Sequence, residues 1–156
     1  MNIGFAGRFE FVASGGARGE VKLAELNNNI TYIGLDRIGV GSLAGWCRVG
    51  VGNRPVVDGD TALETQTAET NTTHAWTTFY EPGPPPRSAV RRTYRFAKGV
   101  AVGTHSEVGI GWKETVNGQT VSNLWSRALI KDENGDSLSI TVLSDEVLDV
   151  IYTLYM

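Results

Sequence analysis

The chain has 156 residues, 41% of them hydrophobic and 20% charged, with a net charge of −3 at pH 7 and nineteen glycines. That length allows one domain, residues 1–156, with a core that needs no disulfide staples. An acidic balance disfavours a general nucleic-acid binder, and the lone Cys47 excludes an intrachain disulfide. In Trp46-Cys47-Arg48-Val49, Cys47 shares the parity of Val49 and Val51 and reads as a small buried hydrophobe, in a chain folded in a reducing compartment. Residues 1–20 carry Arg8 and Glu10 and lack a long apolar core, and no apolar run approaches the ~18 residues of a membrane span. Neither a signal peptide nor a membrane partner is therefore expected.

From Ile3 to Ala13 the chain reads as a strand, with Phe9, Phe11 and Ala13 on one face. Ser14 to Gly19 supplies a flexible turn, and Glu20 to Leu26 returns to make a hairpin. Asn27-Asn28-Asn29 is expected to break that second strand, because asparagine side chains compete for backbone hydrogen bonds. Ile30 to Gly39 does not alternate, and its apolar spacing predicts a short helix.

Gly45 to Gly52 is the next predicted strand. Asp60 to Glu64 reads as a helix start, with Asp60 as the cap and Glu64 in the first turn. His74 to Tyr80 is a strand ended by Glu81-Pro82-Gly83-Pro84-Pro85-Pro86, a rigid loop that no central strand tolerates. Ser88 to Ala97 follows, with Val90, Arg92, Tyr94 and Phe96 on one face and Arg91, Thr93 and Arg95 on the other.

Glu107 to Trp112 is read with Val108, Ile110 and Trp112 inward, and a first Asn-Gly hairpin signal stands at Asn117-Gly118. The best-specified stretch is Ser122 to Tyr155. Leu124 to Ile130 alternates, Asn134-Gly135 reverses the chain, and Leu138 to Val142 and Leu148 to Leu154 alternate again. About nine short strands at spacings near ten residues predict an all-β fold: a single-domain antiparallel β-sandwich, jelly-roll-like, with one or two short helices.

Chemistry is sparse. His74 and His105 lack the neighbouring ligands that zinc needs, and His105 with Glu107 reads as a solvated pair at a strand edge. Asp132, Asn134 and Asp136 imitate a calcium loop, but the glycine falls at the fourth position and no glutamate follows at the twelfth. Ser42 lacks the frame of a nucleophile elbow, and Gly39-Val40-Gly41 and Gly50-Val51-Gly52 lack the spacing of a dinucleotide loop. Asp58 with Asp60, and Asp145 with Glu146, are the acid pairs a glycosidase could use. No metal or cofactor is expected.

The remaining feature is basic. Arg87, Arg91, Arg92 and Arg95 are interleaved with Tyr94 and Phe96. Pairing across the sheet with acidic neighbours is the plainer reading of such a patch; the functional one is contact with an acidic protein surface, ahead of nucleic acid given the overall charge. Arg87, Arg91 and Arg95 are the candidate protein-interface residues. Arg92, on the apolar parity, needs a carboxylate partner if buried.

Several stretches carry a resemblance. They are Gly4 to Phe9, Asn29-Ile30-Thr31 into Gly34 to Gly39, Cys47 to Gly50 with Asp60 to Leu63, Arg92 to Phe96 with Ser106 to Gly109, Ser126 to Ile130, Ile140 to Glu146, and Leu148 to Val150. Their order resembles small virion proteins of tailed bacteriophages and prophages, associated with the tail, its tip or its fibres. The resemblance implies a structural, non-enzymatic role, with assembly in the bacterial cytoplasm into a virion. It also implies docking to other virion proteins as a homo-oligomer. A capsid decoration protein and a host-surface glycan-binding module are the rival readings.

Overall fold

A computed structural model describes residues 5–31, 34 and 45–156. Its described residues hold eleven strands, and all the pairings between them are antiparallel. In chain order they are β1 (Ala6–Ser14), β2 (Val21–Ile30), β3 (Trp46–Gly50), β4 (Gln66–Thr70), β5 (Thr73–Glu81) and β6 (Arg87–Phe96). Then come β7 (Gly103–His105), β8 (Glu107–Val116), β9 (Gln119–Leu129), β10 (Ile140–Val142) and β11 (Val147–Tyr155). Nine strands form one sheet in the order β4-β3-β8-β9-β2-β1-β11-β6-β5, and β10 pairs with β7 apart from it.

The all-β, sandwich-like architecture follows from alternation. Along β1, Phe9, Phe11 and Ala13 are fully buried while Arg8, Glu10 and Val12 between them are half-buried. β11 repeats the pattern with Leu148, Val150 and Tyr152, and it pairs with β1 over its whole length, Ala6 opposite Tyr155 to Ser14 opposite Val147. These faces meet Val49, Ile110, Trp125, Tyr94 and Phe96 in one apolar cluster. The Trp125 Nε1–H donates to the Tyr152 hydroxyl at 3.3 Å, so an indole and a phenol satisfy each other inside that core.

The sheet turns back on itself. Its two edge strands, β4 and β5, are joined by only residues 71–72, and the junction is bonded to β6. Thr70 Oγ1 donates to the Arg95 carbonyl at 2.8 Å, and the Arg95 N–H donates to the Thr72 carbonyl at 3.0 Å. The opposite bend lies at β2, which pairs with β1 over seven positions but with β9 only at Asn29–Arg127 and Ile30–Ser126.

Three expectations need correction. Asn27, Asn28 and Asn29 do not break β2: the strand runs on to Ile30, because Asn27 and Asn28 pair with β1 and Asn29 with β9, and Asn28 donates through its side chain to the Ser126 hydroxyl. Asp60 to Glu64 is not helical. The Asp60 carboxylate is drawn to Arg54 and Arg127 instead of to a helix N-terminus, and Glu64 accepts the N–H groups of Asn53 and Arg54. The strand from Glu107 has no outward face in its first half, since Glu107 to Trp112 are all buried, Gly109 and Gly111 included. The helix expected over Ile30 to Gly39 falls mostly outside the described residues, as do Ser42 and Gly39-Val40-Gly41; Ile30 itself closes β2.

The turns follow their residues. Asn117 and Gly118 take φ of 51° and 79° between β8 and β9, the left-handed pair that a two-residue hairpin of this type requires. Gly135, at φ 83°, reverses the chain after β9, but β10 leaves that hairpin after a single bridge, Lys131 to Ser137, and pairs with β7.

Candidate functional site

Two places gather polar chemistry. One is buried. Arg127 on β9 is fully enclosed, and its Nε and one terminal nitrogen donate to Glu107 Oε2 at 3.1 and 2.9 Å. Its other terminal nitrogen reaches Asp60 Oδ2 at 2.9 Å, and the Arg54 carbonyl accepts at 3.1 Å. Glu107 also accepts the N–H groups of Gly52, Glu64 and Thr65. Asp60 further accepts from the Val57 N–H at 3.0 Å and from Arg54 at 2.6 Å. Burial alone would raise the Asp60 carboxyl, but the Val57 N–H, Arg54 and Arg127 together hold it below its ordinary value. Here a buried cation and two carboxylates fasten residues 52–65 across the end of the sheet.

His105 and Glu107, expected as a solvated pair, are both buried and look to different partners. The His105 ring meets the Ala101 carbonyl at 2.8 Å and the Thr67 hydroxyl at 3.0 Å. Asp145 accepts the Ala17 N–H, while Glu146 takes the Arg18 guanidinium and the Leu143 N–H, which hold its carboxyl below the usual range. Asp132 folds back onto the N–H groups of Asn134 and Asp136, the work of a turn. No group of three or more His, Cys, Asp or Glu that could hold a metal ion occurs among the described residues. Cys47 is buried, and desolvation pushes its thiol far up, so it is the inert hydrophobe its parity suggests.

The second place is the β5–β6 hairpin. Arg87, Arg91 and Arg95 stand on one face of β6, and each is engaged within the chain. Arg95 makes a two-pronged ion pair with Asp149 on β11 at 2.8 and 2.7 Å. Arg87 bonds Glu81 at 3.0 Å and lies 4.4 Å over the Tyr155 ring. Arg91 lies 4.7 Å over Phe79 and donates to the Thr153 hydroxyl at 3.3 Å. The arginine stems carpet this face, leaving their cationic heads at the surface. Arg92, half-buried on the opposite face, donates to Thr73 Oγ1 at 2.9 Å, and the Trp76 and Tyr94 rings lie within 5.1 and 5.0 Å.

Sequence reasoning missed the aromatic side of the hairpin. Trp76, Thr78 and Tyr80 pair with Arg92, Val90 and Ser88, and Arg92 and Val90 pair in turn with Tyr152 and Leu154 on β11. Directly opposed residues share a face, so Trp76 and Tyr80 carry the parity of the core. Yet they are 60% and 63% exposed. The period of two in His74 to Tyr80 could have flagged the parity; only the structure shows that the hairpin runs past its cover.

β5 is also a sheet edge. Among the described residues its one strand partner is β6, and it carries no lysine or proline. The other edge, β4, has five residues and is guarded by Glu69, which is bound to Lys113 and lies 3.4 Å from Arg48. No helix among the described residues is long and apolar enough to cross a membrane. No known family model matches the chain, and no curated protein or solved structure does either.

Proposed function

We propose that this protein is a non-enzymatic docking component of a larger assembly, working through its β5–β6 hairpin. With the sequence resemblance, the assembly is a tailed-phage particle and the position is the tail. One observation carries the reading: an arginine-carpeted face and an exposed aromatic face share a hairpin that is also an edge of the described sheet. Exposed aromatics beside arginines are the composition of interface centres, and an open edge adds main-chain hydrogen bonds. The carboxylates a glycosidase would recruit favour the same reading, since Asp60 and Glu146 are locked in ion pairs that keep them ionised.

The test is incorporation of variants into particles. Arg91→Glu is expected to reduce the copies retained about tenfold, equivalent to ~1.4 kcal/mol of docking free energy. Its melting temperature should fall less than that of Arg95→Glu, because half-buried Arg91 rests on Phe79 and the Thr153 hydroxyl and has no ion pair among the described residues to lose. Normal incorporation would remove this hairpin from the interface. Turnover of host-wall glycan, abolished by Asp58→Asn or Glu146→Gln, would replace the docking reading with an enzymatic one.

A further inference from the structure

We infer that the occupant of the β5 edge is a second copy of this chain, paired β5 to β5 in antiparallel register about a two-fold axis through Thr78. The inference rests on the docking reading and names its partner. An antiparallel edge complements itself, and a two-fold contact closes at two copies.

The register follows from the side chains. With Thr78 opposite the partner copy's threonine at the same position, each Trp76 faces a Tyr80 and each Thr77 faces a Phe79. Aromatic pairs and pairs of aromatic with β-branched residues are the favourable cross-strand combinations. Both exposed rings of the uncovered face are covered at once, one by the other. From Ala75 to Tyr80 no charged side chain lies on the strand, so no like charges are brought face to face.

No arginine stands on the paired strand itself: the β6 strands of the two copies are three strand spacings apart, about 14 Å between backbones, and the Arg91 head leans over Phe79 on the face opposite the Trp76–Tyr80 pairs. Nor does the other edge compete, for β4 is short and carries Glu69 bound to Lys113.

The full chain would be followed by sedimentation velocity over a wide concentration range. A reversible dimer is expected, with Thr78→Lys raising its dissociation constant at least about tenfold, because two ammonium groups then meet at the axis. Gln66→Lys, on the other edge, should leave the dimer intact. Thr78→Cys gives a readout of register: mild oxidation should link two copies, since directly opposed positions lie within disulfide reach. Ala75→Cys, which faces Glu81 of the other copy, should not link, and the buried Cys47 stays silent. Thermal melting of each variant shows whether it is folded.

A wild-type monomer at every concentration would overturn the inference, as would a dimer lost in Gln66→Lys but kept in Thr78→Lys. Crosslinking through Ala75→Cys in place of Thr78→Cys would overturn the register. A monomer whose incorporation still depends on Arg91 would sink self-pairing and leave docking standing; a monomer indifferent to Arg91→Glu would sink both.

Discussion

Arg127 shows what one side chain can organise. Its guanidinium satisfies two carboxylates and a carbonyl inside the protein, and those carboxylates hold four backbone N–H groups and Arg54. A buried ion pair is a weak source of net stability, but removing one partner leaves uncompensated charge in a low-dielectric site. Arg127→Met, similar in length and apolar, is therefore expected to destabilise the fold by about 3–5 kcal/mol. Chemical denaturation would show it as a lower midpoint. A loss within about 0.5 kcal/mol, the range of ordinary surface substitutions, would mean that water replaces the guanidinium.

At the scale of elements, the hairpin β5–β6 and its neighbour β11 separate two kinds of arginine. Arg95 and Asp149 are directly opposed on adjacent strands and joined by two hydrogen bonds. Arg95→Glu would set two carboxylates face to face, and the expected loss is about 1–3 kcal/mol, read by thermal or denaturant unfolding. Arg95 is thus a structural cross-strand residue, and its reversal probes the sheet before it probes any interface. Arg91 touches the Phe79 ring and the buried Thr153 hydroxyl but no carboxylate among the described residues, so its variant disturbs the sheet less and tests docking more directly. Equal melting of the two variants would contradict this division. The edges differ in the same way: charge guards β4, whereas β5 offers threonines and aromatics.

For the whole molecule, carboxylates fasten loops at one end of the sheet. Asp60 and Glu107 hold residues 52–65, Glu64 holds the Asn53 and Arg54 N–H groups, and Glu146 holds Arg18. The carboxyls of Asp60, Glu64 and Glu146 are all depressed below their ordinary values. Depressed groups contribute stability that is fully present above the unfolded-state pKa of about 4 and is lost as pH falls through the lower folded-state values. The denaturation midpoint should therefore stay level from pH 7 to about 5 and drop below about 4. Asp60→Asn should flatten that acid limb. A midpoint that rises on acidification would contradict the assignment.

The strands were legible in the sequence because alternation is local. Phe9-Glu10-Phe11 and Leu148-Asp149-Val150 carry their inward and outward faces in the order of the residues, and Asn117-Gly118 carries its turn in the φ values those residues tolerate. The same locality misled at Asn28, Asn29 and Asp60, which find partners about 70 to 100 positions away on β9. Chain order alone established an antiparallel, all-β body with arginines along one strand. Tertiary structure decided which polar groups went inside and which aromatics stayed out. Both outcomes depend on what another part of the chain brings to the same point: Arg127 lies where Glu107 and Asp60 converge, and Trp76 lies where no described strand arrives to cover it.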